Sequence, residues 1–388
     1  MRRFIAVFLI LIVAAFAFWL LRSQDTAVPA NAALESLLVD DGTTSDAFAR
    51  ATVPGAVNFP RDLGPHEDYQ TEWWYYTGNL QTEDGRDFGY QFTIFRRAIQ
   101  PMSEIPQVDN PSTWRSNQIY LAHFTVSDMG GDEFHVAERF SRGGAELAGA
   151  QAQPYYVWLE DWSVTEVEPG TVRIQADTED VSLDLTLVET MPPVLHGDGG
   201  LSQKGPEPGN ASYYYSIVRQ ATSGELVIGE ETFQVDGLSW KDHEYSTSAL
   251  SPGSVGWDWF SLQLDDGSAL MLFQIRRDDG SIEPYSSASF ISNDGALQTL
   301  GHEEWQLDVL DTWTSPHSGG EYPAHWRLRI PSIALDLEGR PMMADQELNV
   351  STIYWEGASE FSGTLSGEPV TARGYVEMTG YAGTPAPS

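Results

Sequence analysis

From about Val57 onward the chain alternates apolar and polar residues with a period of two, in short runs separated by Gly, Pro, Asn and Asp. Tyr120–Val126, Tyr155–Asp161, Val172–Ala176, Ser182–Val188, Tyr213–Arg219 and Leu226–Glu230 are such runs, and each predicts a strand with one apolar face. No amphipathic pattern sustains a helix longer than two turns. Short strands at even spacing predict a sandwich or a barrel.

One pattern occurs twice. Trp73-Trp74-Tyr75-Tyr76-Thr77-Gly78-Asn79-Leu80 runs into a turn at Glu83-Asp84-Gly85 and returns as Gly89-Tyr90-Gln91-Phe92-Thr93-Ile94-Phe95-Arg96-Arg97. Trp257-Asp258-Trp259-Phe260-Ser261-Leu262-Gln263-Leu264 runs into Asp265-Asp266-Gly267 and returns as Leu272-Phe273-Gln274-Ile275-Arg276-Arg277. Each copy is an aromatic strand, an Asp-Gly turn and a second strand ending in paired arginines. The duplication predicts two related β domains, parted at a break over Thr247–Val255.

The chain has 388 residues, enough for two domains with full cores. Lysine and arginine number 21 against 56 acidic residues, a net charge of −35 that repels phosphate backbones and argues against a nucleic-acid partner. There is no cysteine, which excludes disulfides, thiolate metal sites, a cysteine nucleophile and a lipoprotein anchor. At the N-terminus Met1-Arg2-Arg3 precedes an unbroken apolar run, Phe4–Leu21. That run is a signal anchor or signal peptide, and the positive-inside rule puts the body on the periplasmic or extracellular side, tethered to the inner membrane or secreted. The expected organisation is an anchor at 1–22, a linker at 23–55, an N-terminal domain at 56–247 and a C-terminal domain at 248–388. A Gly/Pro-rich stretch from Met191 to Asn210 interrupts the first domain and reads as an ordered lid.

Several side chains carry candidate chemistry. In Asp242-His243-Glu244-Tyr245 the strand period puts Asp242 and Glu244 on one face, and His243 with Tyr245 on the other. A histidine beside carboxylates can serve as a base; a charged surface turn is the plainer reading. Asp258 falls on the row of Phe260, Leu262 and Leu264, opposite Trp257 and Trp259. Burial there would raise its pKa and suit it to general acid work, unless it sits at a barrel rim bonded to an indole or an amide. Glu72 holds the mirrored position, where Arg96 or Arg97 would make it structural. His123 lies on a strand among Leu121 and Thr125, the setting of a satisfied structural histidine more often than of a ligand. No Gly-x-Ser-x-Gly elbow, HExxH, P-loop or dinucleotide fingerprint is present, and the eight histidines are scattered.

Taken together, His66, Tyr69-Gln70-Thr71-Glu72-Trp73-Trp74-Tyr75-Tyr76-Thr77-Gly78, Asp242-His243-Glu244 and Gly256-Trp257-Asp258-Trp259-Phe260 resemble the carotenoid 1,2-hydratase family. That family is also called hydroxyneurosporene synthase, and it includes the AttH-like tandem lipocalin-like proteins. Leu201-Ser202-Gln203-Lys204-Gly205 looks like the AttH-like branch. The resemblance spans roughly residues 55–385. It implies an all-β chain of two tandem lipocalin-like (calycin) antiparallel barrels behind the membrane anchor. It also implies addition of water to a terminal C=C of an acyclic carotenoid, by protonation to a tertiary carbocation, with no metal and no cofactor.

Carried onto this chain, the resemblance makes Asp258 the acid, His243 the water-orienting base and Glu72 a third catalytic candidate. Trp74, Trp257 and Trp259 become tunnel walls, and Tyr76, Gln91, His123, Tyr245 and Gln274 further ligand-binding positions. Tyr245 stands where many members have tryptophan. Two positions answer to the family's catalytic aspartate: Asp258, and one in the strand after the turn, where this chain has Gln274. If the second is right the acid is missing, and the chain is then a non-catalytic carrier of lipid or isoprenoid, partnered by an envelope ABC-type transporter.

Overall fold

The computed structural model describes residues 46–106, 108–109, 112–248 and 250–382. The expected anchor at 1–22, most of the expected linker and the tail from Gly383 lie outside the described residues. Among the described residues no helix is long and apolar enough to cross a membrane. The last part of the expected linker packs on the body: Phe48 and Ala51 are buried, and Val53 N–H donates to Tyr213 Oη over 3.2 Å.

The described chain is all β apart from short 3-10 turns. The first sheet comprises β1 (Thr71–Gln81), β2 (Asp87–Ala98), β3 (Gln118–Asp128), β4 (Glu133–Arg142), β5 (Ala148–Ala152), β6 (Tyr155–Leu159), β7 (Trp162–Glu168), β8 (Thr171–Asp177), β9 (Val181–Glu189), β10 (Val194–Leu195), β11 (Leu201–Gln203), β12 (Ala211–Ile228) and β13 (Glu231–Ser248). The second comprises β14 (Ser254–Leu264), β15 (Ala269–Arg277), β16 (Ser287–Ile291), β17 (Leu297–Gly301), β18 (Gln306–Thr314), β19 (Glu321–Ile330), β20 (Leu335–Pro341), β21 (Glu347–Asn349), β22 (Ile353–Leu365) and β23 (Glu368–Met378).

Strand order in the first sheet is β4-β3-β2-β1-β13-β12-β9-β8-β7-β6-β5, and in the second β17-β16-β15-β14-β23-β22-β20-β19-β18. The aromatic hairpins β1-β2 and β14-β15 therefore hold matching places, each with the last strand of its sheet on the other side. Both hairpins turn on a glycine that only a residue without Cβ adopts freely, Gly85 at φ +92° and Gly267 at φ +93°. Each sheet is antiparallel and curls around its own core into a near-closed barrel, the lipocalin-like architecture expected from the sequence.

The period-two pattern works as read. Along β9, Val181, Leu183, Leu185 and Leu187 are buried in the first core while Ser182, Asp184 and Thr186 are half-exposed. β1 departs from it, because both its faces are buried. Trp74, Tyr76 and Leu80 fill the first barrel, whereas Tyr75 joins Tyr214, Trp240, Trp259, Phe273 and Tyr375 in a separate core between the barrels. That junction is close: a Cβ on Gly89 would lie 2.5 Å from Tyr375 Oη. Asn79 Nδ2 donates to the Gly374 carbonyl over 3.2 Å, and Gln263 Nε2 donates to the Val218 carbonyl over 2.8 Å.

Candidate active site between the two barrels

The alternation along β13 sorts its side chains into two compartments. Lys241, His243 and Tyr245 point into the first barrel, and Asp242 and Glu244 point out toward the second. The outward pair lines a cleft whose far wall carries Glu356 of β22 and Glu377 of β23, which face each other in cross-strand register. Trp73, Tyr75, Phe95, Tyr214, Trp257, Trp259, Phe273 and Tyr354 form the apolar walls. Lys204, in the segment between β11 and β12, completes the lining with Gln91, Leu250 and Ile275. Four carboxyl groups thus meet inside an aromatic chamber.

That environment sets their protonation. Burial pushes the Asp242 carboxyl up to about 7, against hydrogen bonds from Ser216, Tyr214 and Trp240. Tyr214 Oη and Trp240 Nε1 each donate over 2.6 Å, and Trp259 Nε1 donates to Tyr214 over 3.0 Å. Burial takes Glu377 to about 8, although Trp257 Nε1 donates to it over 3.0 Å. Glu356 is raised well above the ordinary range by burial and by the neighbouring Glu377. Tyr75 Oη donates to Glu356 Oε1 over 2.5 Å, while its Oε2 is buried with no hydrogen-bond partner. A carboxyl held protonated with one oxygen unclaimed has a proton to give to whatever occupies the cleft.

His196, from the expected lid, is buried behind Asp242. Burial and Lys204 lower it to about 3, so it is neutral. When Asp242 is ionised, Ser216 donates to it and accepts from His196 Nε2 over 2.6 Å. His196 Nδ1 then accepts from Ser289 over 2.9 Å. This chain fixes Asp242 from behind.

The raised acids make stability depend on pH. An unfolded glutamate ionises near 4.5, whereas Glu377 in the fold holds its proton to about 8. Between those values the native state binds more protons, so stability falls as pH rises through this window. Glu377→Gln is expected to flatten that fall, gaining about a few kcal/mol relative to the unmodified protein near the top of the window. Denaturant melts at a series of pH values check this; parallel curves for the two proteins would refute it.

A second polar cluster lies inside the first barrel. Glu72 is fully buried and accepts from Arg96 Nε over 2.8 Å, from His66 N over 2.9 Å and from His243 Nε2 over 2.8 Å, with His66 Nδ1 at 2.7 Å. Burial alone would raise it, but Arg96, His66 and His243 hold it well below the ordinary range. His66 Nε2 lies 3.1 Å from Asp62 and its ring stacks on Tyr245 at 3.5 Å. Burial lowers His243 to about 4 against the pull of Glu72, so it is neutral and its Nδ1 accepts from Tyr215 Oη over 2.9 Å. One ligand atom from each of His66, Glu72 and His243 falls within a 4.8 Å group, a spacing a metal ion could use. Arg96 already neutralises the carboxylate and both imidazoles are hydrogen-bonded, so the cluster satisfies itself without one.

The fold does not bring Asp258 and His243 together. Asp258 lies at the end of the second barrel, on the strand face opposite Trp257 and Trp259, within reach of Gln274 Nε2 (3.2 Å), Arg276 Nε (3.2 Å) and Tyr381 Oη (2.9 Å). Burial raises it and Arg276 opposes the rise. Gln274 is therefore a partner of Asp258 and does not line the cleft. Glu72 is ion-paired, the structural alternative foreseen for it. Trp74, Tyr76 and Tyr245 belong to the first barrel: Trp74 Nε1 donates to the Leu63 carbonyl over 3.1 Å, and Tyr76 meets Tyr155 over 2.9 Å. His123 is buried between Tyr354 Oη (2.7 Å) and Glu138 (3.1 Å), one layer behind the cleft. Trp257, Trp259 and Gln91 line it. Glu356 and Glu377 were not picked out from the sequence; an acid inside the apolar runs Tyr354-Trp355-Glu356 and Tyr375-Val376-Glu377-Met378 is the signal they left.

Two lipocalin-like barrels in tandem, with an acid-lined aromatic cleft at their junction, define the class of protein. Within it, the chain belongs to the AttH-like family, whose pattern matches residues 50–381. An AttH-type structure from Nitrosomonas europaea is 35% identical, with a TM-score of 0.77 over 86% of this chain and 100% of that one. Kievitone hydratase from Nectria haematococca shares the fold at 17% identity, with a TM-score of 0.63 over 86% of this chain and 97% of its own. The dehydratase asqC from Emericella nidulans is 25% identical over 219 residues, 54% of this chain; the match spans only 61% of that protein's length.

Proposed function

We propose that this protein is a hydro-lyase, adding water to or removing it from a hydrophobic substrate held between the barrels. The observation that carries the reading is Glu356, a buried carboxyl kept protonated, with Oε2 unclaimed, in a chamber of aromatic rings. The acid role that the sequence resemblance gave to Asp258 passes to Glu356. Protonation of a C=C by Oε2 gives a tertiary carbocation, which the tryptophan and tyrosine faces stabilise. Water captures the cation, and Asp242, titrating near neutrality, takes the released proton. Dehydration runs the same steps in reverse. The relative named as a dehydratase supports this chemistry, and the sequence motifs favour an acyclic carotenoid or a related isoprenoid as substrate. A location outside the cytoplasm is part of this reading, supported by the basic start and apolar run at the N-terminus.

The test is to incubate the purified protein with an acyclic carotenoid, and separately with a shorter acyclic isoprenoid alkene, in ¹⁸O-labelled water. Mass spectrometry should find labelled alcohol in at least one reaction. Tryptophan quenching by both ligands without label in either product would make the protein a carrier of such alkenes and end the reading of it as an alkene hydratase.

A further inference from the structure

We propose that Lys204 is a receptor for a carbonyl oxygen, so that the cleft takes an oxygenated substrate, a β-hydroxy ketone or its enone, in preference to a plain hydrocarbon. The proposal rests on the hydro-lyase reading for its chemistry, but not for its binding. Alkene protonation needs only an acid and apolar walls. This cleft also holds an ammonium group, and Lys204 is the one basic residue among the described residues that line it. Its side chain is 9% exposed.

Nζ lies 3.4 Å from Glu244 Oε1, longer than a well-made charged hydrogen bond, and Ser212 Oγ already donates to that oxygen. Among the described residues Nζ also faces two rings, the centroid of Phe273 at 3.7 Å and that of Tyr214 at 5.2 Å. Faces of this kind attract the charge but take no conventional hydrogen bond from its N–H groups. A nearly buried ammonium with its donors so loosely engaged is costly unless something else accepts from it. The acceptor that fits is neutral. With Asp242 and Glu244 beside it the chamber disfavours an entering anion, whereas a ketone oxygen accepts an N–H without adding charge.

The groups then divide a β-elimination among them. Beside a carbonyl the acidic C–H reverses the roles the two carboxyls have in alkene hydration: Asp242 takes the proton from the carbon next to the carbonyl. The electrons of that C–H bond form the new C=C, the C–O bond breaks, and the hydroxyl leaves as water with the proton of Glu356. Lys204 donates to the carbonyl oxygen as enolate charge develops there. The two carboxyl groups exchange protons with solvent to reset.

Chalcone and trans-stilbene are matched probes, similar in shape and differing in one carbonyl. By equilibrium dialysis the unmodified protein is expected to bind chalcone roughly ten- to hundredfold more tightly than stilbene, the worth of a hydrogen bond to a charged group. Lys204→Met should reduce the preference to about threefold or less, with stilbene affinity unchanged. The double variant Lys204→Met/Glu244→Gln, which leaves no lone carboxylate, should behave the same way. The infrared carbonyl stretch of bound chalcone should fall to lower frequency in the unmodified protein and not in either variant. No preference in the unmodified protein, or a preference that survives in both variants, overturns the proposal. Failure to dehydrate the β-hydroxy ketone parent of chalcone, with the carbonyl preference intact, would overturn the hydro-lyase reading alone.

Discussion

Glu356→Gln is expected to slow substrate turnover by about 10²- to 10⁴-fold while ligand affinity stays within about threefold. Glutamine keeps the shape and still accepts from Tyr75, so the wall of the cleft is preserved. It removes the one thing the mechanism asks of this residue, a proton on Oε2. Since burial and Glu377 already keep Glu356 uncharged, the substitution leaves no partner ion exposed, and the folded state should tolerate it. A drop in kcat without a rise in KM is the expected signature, measured on the labelled-water reaction. The unmodified enzyme should also lose activity as pH climbs past about 8, where Glu377 ionises and the charge of the acid pair changes. Asp258→Asn is the matched control, because Asp258 serves the end of the second barrel beside Arg276 and Tyr381. Turnover that survives Glu356→Gln and dies in Asp258→Asn would return the acid to the position suggested by the sequence.

The fold was legible for local reasons. Two Asp-Gly turns, two aromatic hairpins and a period of two are written within a few residues of one another, and they predict the paired barrels. The division of Asp242 and Glu244 from His243 and Tyr245 also followed from strand geometry alone. What the period could not tell was which compartment each face enters. In an ordinary barrel one face meets the core and the other meets water. Here β1 has two buried faces, so Trp73 and Trp74 look equally apolar although one lines the cleft and the other fills the first barrel. The same ambiguity hid the junction on β14, where Asp258 and Trp257 part company. Glu356 and Glu377 come from strands far downstream, and only the packing of the two sheets brings them opposite Asp242. His66 was visible in the motif, but its contact with Glu72 depends on the loop before β1, which follows no period.

Glu72→Gln is expected to lower the unfolding free energy by about 3–5 kcal/mol, because it strands Arg96 as a charge with no counterion. Arg96 and Glu72 are both fully buried, and the guanidinium also donates to the Gln118 side chain and to the His66 and Tyr69 carbonyls. The group is built to hold the loop carrying His66 against β1 and β2. Arg96→Met alone should be comparably costly. The double variant Glu72→Met/Arg96→Met should lose less than the sum, since it leaves no unpaired charge. The depressed pKa of Glu72 sets the sign with pH. Its contribution is fully present above the ordinary glutamate value near 4.5 and is lost as pH falls through its lower native value. The unmodified protein should therefore destabilise in acid more steeply than Glu72→Gln. Urea melts across the acid range measure both effects. A Glu72→Gln protein as stable as the original, with the same acid profile but no turnover, would mean that this carboxylate belongs to the chemistry after all, and that the first barrel, with its paired histidines, holds the site.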